Sequence, residues 1–181
     1  QLVLFGARVI MVRGTYDQAF DLCMEVSGEY GWYNRNTGYN PFTREGKKTC
    51  TLEICEQLKW KVPDKIFVSA GDGNIISGLW KGLKDLYELG FIDRLPQMIA
   101  VQSTLSSSIA LSFEKSKDTD RIDIVPVSAT TVADSISVDL PRDGVAAVRA
   151  IKESHGTAVT VSDEEILDTI KYMAQKTGIF G

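Results

Sequence analysis

The sequence predicts an α/β fold, with a largely parallel, twisted sheet and helices flanking it. Short apolar runs rich in β-branched residues alternate along the chain with stretches whose apolar residues recur every three or four positions. That alternation is typical of strand–helix–strand units, whose strands lie parallel. The length of 181 residues and the hydrophobic content of 44% suit one domain with a core and part of a second.

The sequence predicts the position of each strand and helix from its composition and from its capping residues. Five strands are expected where β-branched and aromatic residues cluster, at residues 7–12, 31–36, 66–68, 98–101 and 157–161. Capping boxes open two helices, one at Thr15 with Gln18 that runs to about Val26, and one at Ser162 with Glu165. Other helices are expected near 49–58, from Asn74 through Tyr87, from the serine-rich stretch 103–108 to Lys115 and at 143–154, with a helical turn at 132–136.

Both termini are interpreted as cuts through a larger fold. Residues 1–6 lack an initiator Met and look like the last turns of a helix that stops at Gly6. Residues 177–181 look like a helix stop followed by the first residues of a strand. The chain is therefore expected to be an internal fragment of a larger protein.

The composition excludes several classes of partner. The net charge of −4 provides no basic surface for nucleic acid, and no run approaches the roughly 18 apolar residues of a membrane helix. The first residues lack the basic region that opens a signal peptide. Cys23, Cys50 and Cys55 are an odd set without metal-site spacing, as expected of reduced thiols. We therefore expect a cytoplasmic protein without bound metal, nucleic acid or membrane contact.

The segment around Ala70-Gly71-Asp72-Gly73-Asn74 carries the most specific functional signal. It follows a short buried strand and opens a helix whose expected buried stripe comprises Ile75, Ile76, Leu79, Leu83, Leu86 and Tyr87. Gly71 and Gly73 would allow a positive φ and a close approach to a ligand, and a Cβ at Gly73 would clash with that ligand. The free N–H groups of the first helical turn would then attract an anion, most often a phosphate.

Two familiar phosphate motifs are excluded, and one structural alternative stays open. The P-loop requires Gly-Lys-Ser/Thr, but Asn74-Ile75 stands at that position. The dinucleotide fingerprint is G-x-G-x-x-G. Gly71 and Gly73 match its first two glycines, but Gly78 lies two residues too far along the chain to be the third. The alternative is an ordinary strand-to-helix turn that uses its glycines for tight packing.

A second candidate is the polar segment 34–46, which contains three Asn, two Arg and two Thr. It is predicted to be a long loop, and long ordered loops tend to be functional. A solvated linker between two lobes is the alternative. The one histidine, His155, is interpreted as a capping or surface residue beside Gly156.

Several motifs together resemble the threonine synthases, in the tryptophan-synthase-β-like, fold-type II group of pyridoxal-phosphate enzymes. The resemblance covers most of the chain and rests on residues 6–10, 13–17, 40–41, 45–49, 60–64, 70–74, 80–82, 93–96, 141–142 and 161–166. The last segment also occurs in related dehydratases, so it supports the group more than the family. The resemblance implies that residues 1–36 end a small domain and that 37–181 form most of a large domain, incomplete at its C-terminus.

The resemblance also implies a cofactor and its binding loop. The cofactor would be pyridoxal 5'-phosphate, and the residues binding its phosphate through backbone N–H groups would be Ala70, Gly71, Asp72, Gly73 and Asn74. The family commonly has glycine where Ala70 stands and a neutral residue where Asp72 stands. Because a carboxylate facing a phosphate would repel it, the side chain of Asp72 is expected to turn outward.

The implied reaction is the conversion of O-phosphohomoserine and water into threonine and phosphate. Since the substrate of this group lies between two domains, the polar segment is expected to face it, with Asn36, Thr37, Asn40, Thr43 and Arg44 as substrate-binding residues. The family arginine that reaches the substrate phosphate lies one position earlier than Arg44. No lysine sits in a motif matching the one that attaches the cofactor, so no catalytic residue is named, and the chain alone is expected to be inactive.

Two alternatives to a threonine synthase are kept, and a homodimer is an expected assembly. The first alternative is a related serine/threonine dehydratase or ammonia-lyase, which would use the same cofactor. The second is a non-catalytic α/β domain in which the glycine-rich segment is only a packing turn.

Overall fold

The computed structural model describes residues 1–180, which divide into two compact units. The first comprises Gln1–Asn34, and the second begins at Arg35. Among the described residues, no helix is both long enough and apolar enough to span a bilayer.

The first unit contains a short helical turn and one longer helix. The turn is a 3-10 helix at Val3–Phe5, closed by Gly6 in the left-handed conformation with a φ of 81°. Helix α1 spans Tyr16–Tyr30 and opens with the predicted capping box. In it, Gln18 N donates to Thr15 Oγ1 at 3.3 Å and Thr15 N donates to Gln18 Oε1 at 3.0 Å.

Two predicted strands are wrong for the described residues. Residues 7–12 and 31–36 form no strand, because a strand needs a hydrogen-bonded neighbour and neither segment pairs with one within residues 1–180. Helix α1 also runs longer than predicted and ends at Gly31 in the left-handed conformation, with a φ of 66°. Trp32 N then donates to Ser27 O at 2.9 Å, which ties the next residues to the helix end.

The second unit alternates strands with helices. Its elements are α2 (Pro41–Gln57), β1 (Lys65–Ser69), α3 (Asn74–Glu88), β2 (Gln97–Ser103), α4 (Ser108–Lys115), a 3-10 turn (Asp134–Ile136), α5 (Gly144–Glu153), β3 (Thr157–Val161) and α6 (Asp163–Thr177). The strands form one parallel sheet in the order β1-β2-β3, with Val68 opposite Ala100 and Ala100 opposite Ala158. The predicted α/β class and parallel sheet are therefore confirmed.

The core lies between this sheet and helices α3, α4 and α5. Its fully buried side chains include Ile76, Leu83, Met98, Ile109, Val148 and Ile151. The predicted stripe of α3 is buried along its centre, but Ile75 and Tyr87 are 45% and 48% exposed. Each of these two lies about 60° around the helix from the middle of the stripe, at 100° per residue, so each marks one edge of it.

Helix α2 begins earlier than predicted and shortens the polar segment. It starts at Pro41 for two reasons. The side chain of Asn40 caps it, because Asn40 Oδ1 accepts a hydrogen bond from Phe42 N at 3.0 Å. Proline also suits the first position of a helix, where the backbone N–H has no acceptor within the helix. Residues 41–46, expected in a loop, are therefore helical. Thr43 and Arg44 are held on a regular element.

Asp163 ties the carboxyl end of β2 to the start of α6. Its Oδ1 accepts hydrogen bonds from Thr131 Oγ1 at 2.6 Å and Ser103 Oγ at 2.7 Å, and its Oδ2 accepts one from Val132 N at 2.8 Å. The bonds from Thr131, Val132 and Ser103, in that order of effect, lower the pKa of the carboxyl group below its usual value. Asp163 therefore links three segments through hydrogen bonds, in addition to its favourable interaction with the dipole of α6.

Replacing Asp163 by Asn is expected to destabilise the protein in a pH-dependent way. A carboxylate whose pKa is lowered by folding stabilises the fold above its unfolded pKa of about 4, and that contribution is lost as pH falls through the folded pKa. The difference in unfolding free energy from the unmodified protein should be largest near neutral pH and should shrink below about pH 4 in urea denaturation. Glu164→Gln, at an exposed neighbour, is the control. Equal differences at neutral and at acidic pH would contradict this account.

Candidate functional site

The glycine loop, Ala70 to Asn74, follows β1 and opens α3 at the carboxyl end of the sheet. Ligands of open parallel sheets bind outside this edge. The loop leaves the sheet from a fixed point, because Ala70 N donates to Val101 O at 2.9 Å and Gln102 Nε2 donates to Ala70 O at 2.8 Å. Gln102 is 1% exposed, and its Oε1 accepts a hydrogen bond from Ala110 N at 2.9 Å. A buried amide, hydrogen-bonded through both its nitrogen and its oxygen, thus holds the loop.

Residues 134–138 form one wall of the glycine loop. A Cβ added at Gly71 would lie 3.0 Å from Ile136 Cα and 3.3 Å from Val138 Cγ2. Ser106 fixes this wall through two hydrogen bonds. Its Oγ donates to Ile136 O at 3.0 Å and accepts from Val138 N at 3.1 Å. Gly71 does not have a positive φ, contrary to the prediction, and is required by the close approach of two backbones.

Gly73 is required by its conformation and by packing against protein. Its φ of 84° is left-handed, as predicted, and strains any residue with a side chain. A Cβ here would lie 2.6 Å from Ala147 Cβ and 3.2 Å from Asp143 O. The sequence predicted a clash with a ligand in this direction, but α5 lies there instead. Packing against protein therefore explains the glycine at this position.

The first turn of α3 has no side-chain cap. Its N-cap is Gly73, which has no side chain. Helices α4 and α5 also lack a side-chain cap, whereas Thr15, Asn40 and Ser162 cap α1, α2 and α6 with side-chain oxygens. The first N–H groups of a helix have no acceptor within the helix and carry the positive end of its dipole. An uncapped first turn behind a glycine turn is the usual setting of a phosphate site.

Asp72 is turned toward the segment that precedes α5. Its Oδ1 accepts a hydrogen bond from Arg142 N at 3.0 Å, and its carbonyl oxygen accepts one from Asp143 N at 3.0 Å. The carboxylate that would repel a phosphate is therefore engaged by a backbone amide of another segment.

A buried carboxylate, Asp143, joins the glycine loop to α2. Its side chain is 4% exposed. Its Oδ2 accepts hydrogen bonds from Ser77 Oγ at 2.6 Å, Arg44 Nε at 3.0 Å and Asn74 Nδ2 at 3.1 Å. Arg44 Nη2 donates to Oδ1, which makes the ion pair bidentate. Four donors together offset the cost of burying this charge.

Asn74 is held by this carboxylate in one orientation. Its Nδ2 faces Asp143, so its Oδ1 points the other way, and that oxygen is buried without a hydrogen-bond donor among residues 1–180. Buried acceptors in native structures are nearly always satisfied, so this oxygen is open to a donor from a water molecule or a ligand.

The five predicted substrate-binding residues have different roles in the structure. Thr43 Oγ1 donates to Asn40 O at 2.7 Å, so these two side chains serve the start of α2. Asn36 and Thr37 precede the helix and are partly buried. The ion pair with Asp143 connects Arg44 to the glycine loop.

Sequence analysis missed Asp143, Ser77 and Gln102. Asp143 looked like an ordinary helix start, and it is the N-cap of α5, but its carboxylate makes no cap hydrogen bond with its own helix. It bonds instead to Asn74, which lies 69 positions away in the sequence. No local spacing reports a contact over such a separation.

His155 lies at the opposite, amino-terminal edge of the sheet from the glycine loop, just before β3. Its φ is 52°, and its carbonyl oxygen accepts a hydrogen bond from Gln97 Nε2 at 3.0 Å. It follows Ser154, the C-cap of α5, and its N–H donates to Lys152 O at 3.1 Å, so it lies in the turn that closes the helix, as predicted.

One protein-family model, described as pyridoxal-phosphate dependent enzyme, matches residues 1–181. The chain belongs to this family. The resemblance found in the sequence motifs is thereby confirmed, and so is the fold-type II architecture that it implied.

Relatives of this pyridoxal-phosphate enzyme chain include several threonine synthases. The threonine synthase of Methanocaldococcus jannaschii is 39% identical over 181 residues, and that of Methanosarcina acetivorans is 36% identical over 180 residues. Both alignments cover 99% of this chain but only 44% and 43% of the relatives. The chain thus spans less than half the length of these relatives.

Solved structures of the same fold include a threonine deaminase and an ammonia lyase. The processed form of threonine deaminase isoform 2 from Solanum lycopersicum superposes with a TM-score of 0.78 at 22% identity, covering 99% of this chain and 48% of that one. The diaminopropionate ammonia lyase from Escherichia coli superposes with a TM-score of 0.73 at 19% identity, covering 99% and 45%. At these identities the similarity establishes the fold alone.

The residues of the glycine loop fit the phosphate of pyridoxal 5'-phosphate. The uncapped first turn of α3 offers N–H donors, and Asp72 is engaged by Arg142 N. The charge of Asp143 is balanced by Arg44. Of the two carboxylates near the loop, Asp143 is thus paired with a cation and Asp72 is hydrogen-bonded to another segment.

Replacing Gly73 by Ala is expected to destabilise the protein by about 2–4 kcal/mol, from the left-handed φ and the contact with Ala147. Urea or thermal unfolding would measure it. Gly46→Ala is the matched control, because Gly46 lies within α2 with open space around its Cβ direction and alanine favours the helix. A Gly73 variant as stable as the unmodified protein would contradict the packing described here.

Proposed function

We propose that the full-length protein is a threonine synthase, which converts O-phosphohomoserine and water into threonine and phosphate with pyridoxal 5'-phosphate. The single observation that carries the proposal is the glycine loop, an uncapped helix start beside which Asp72 is hydrogen-bonded to Arg142 N and Asp143 is paired with Arg44. The threonine synthases among its relatives supply the reaction class.

In this proposal, Ala70, Gly71, Asp72, Gly73 and Asn74 hold the cofactor phosphate through backbone N–H groups. When bound, the cofactor supplies the electron sink that labilises bonds to the substrate amino acid. The residues of this chain fix its phosphate end, and so set the distance from the loop to the reacting atoms. The lysine for covalent attachment is proposed to lie outside these 181 residues, so the chain alone would bind a phosphate without catalysing the reaction.

Asn36 and Thr37 are proposed as the substrate-facing members of the polar segment. Both are partly buried and precede α2, whereas Asn40 and Thr43 are used by its cap. Residues 1–36 and 37–181 are proposed to belong to a small and a large domain, and a cytoplasmic homodimer is the proposed form of the whole protein.

A serine/threonine dehydratase or ammonia-lyase is the second candidate, and one observation favours it. Thr43 stands where threonine synthases resembling this chain have the arginine that reaches the substrate phosphate, and Arg44 beside it is held by Asp143. A substrate without a phosphate would need no such arginine.

The two candidates are separated by their products. Full-length protein loaded with cofactor should release inorganic phosphate from O-phosphohomoserine and form threonine, with little 2-oxo acid from threonine. Colorimetric phosphate detection and a coupled 2-oxo acid assay measure both. Formation of 2-oxo acid from threonine without phosphate release would replace the first candidate by the second. Absence of both products, together with no cofactor binding, would favour the non-catalytic alternative.

A further inference from the structure

The ion pair between Arg44 and Asp143 has one buried and one accessible member. The side chain of Asp143 is 4% exposed, and that of Arg44 is 38% exposed. Arg44 therefore reaches inward from α2 to a carboxylate that water barely contacts. Such a carboxylate depends on its partner, because a buried charge left alone is strongly unfavourable.

The carboxylate of Asp143 lies against the first turn of α3. It accepts hydrogen bonds from the side chains of Asn74 and Ser77, which lie in that turn, and makes no cap bond to its own helix. A negative charge here sits within the positive field of the helix start. This is the same field on which the proposed phosphate site depends, so the two anions would oppose each other.

We propose that Arg44 is a positioning residue for the cofactor phosphate rather than a ligand of the substrate. It cancels the charge of Asp143, so that the first turn of α3 stays favourable to a phosphate while Asp143 still orients Asn74 and Ser77. This inference rests on the proposed cofactor site. It differs from the sequence-based expectation, in which Arg44 contacts an anionic substrate.

The two roles of Arg44 predict opposite kinetic and binding effects. A substrate ligand would change the substrate KM and leave cofactor affinity unchanged. A residue that neutralises Asp143 would change cofactor affinity, and it would do so only while the carboxylate is present. The charge of Asp143 is therefore the variable to control.

The test uses full-length protein and four variants: Arg44→Gln, Asp143→Asn, the double variant and Lys81→Gln. Lys81 pairs with Glu45 on the surface, so Lys81→Gln removes a cation from an exposed pair as a control. The dissociation constant for pyridoxal 5'-phosphate is measured by absorbance titration of the apoprotein. The dissociation constant for inorganic phosphate is measured by competition with pyridoxal 5'-phosphate. The stability of each variant is measured by unfolding in urea.

Arg44→Gln should weaken binding of both ligands by about 10- to 100-fold, because the uncompensated charge of Asp143 would then repel an anion bound at the first turn of α3. A factor of this size corresponds to a separation of roughly 6–12 Å at an effective dielectric of about 20. The double variant should return to within about threefold of the unmodified protein, because both charges are then absent. Lys81→Gln should bind normally. If Arg44→Gln does not fold, Asp143→Asn alone still tests the idea: it should bind phosphate at least as tightly as the unmodified protein.

Several outcomes would overturn the proposal. Normal cofactor affinity in Arg44→Gln with a raised substrate KM would assign Arg44 to the substrate. A double variant as weak as Arg44→Gln would show that packing, not charge, is responsible, and weaker phosphate binding by Asp143→Asn would do the same. If the unmodified protein binds neither ligand, the proposed function fails together with this inference, whereas normal binding without coupling refutes the inference alone.

Discussion

The buried carboxylate of Asp143 is the constraint on which the candidate site depends. It receives donors from α2 and from the first turn of α3, while its own backbone starts α5 and donates to the carbonyl oxygen of Asp72. Because a buried charge is tolerated only with its full set of partners, these elements are fixed relative to one another. The glycine loop owes its shape to this junction.

The same junction explains why glycine is needed at position 73 and why the amides remain for a ligand. The side of Gly73 that lacks a Cβ is packed against Ala147 and the carbonyl oxygen of Asp143. A glycine N-cap leaves the helix start without a side-chain acceptor. Tight packing on one side and an uncapped helix start are therefore two consequences of one backbone conformation. The packing-turn and phosphate-site interpretations are compatible.

The sequence predicted those features whose signals are local. The capping boxes at Thr15 and Ser162, the three paired strands and the stripe of α3 all depend on spacings of a few residues, and each is present. The segments 7–12 and 31–36 have strand-like composition, but composition cannot supply the neighbour that makes a strand. The start of α2 was missed although Asn40-Pro41 is a helix-start signal, because the polar composition of the segment was given more weight. The role of Asp143 was not predicted, because its partners Arg44, Asn74 and Ser77 are distant from it in the sequence.

We propose that the first turn of α3 and the preceding glycine loop bind a phosphate through backbone amides. Amide hydrogen exchange in the full-length protein tests it most directly, because amides without an acceptor exchange quickly and slow down when a ligand supplies one. The account predicts that pyridoxal 5'-phosphate and inorganic phosphate slow exchange across residues 71–76, whereas pyridoxal without its phosphate does not. Unchanged exchange across residues 71–76, with protection appearing elsewhere when pyridoxal 5'-phosphate binds, would contradict it.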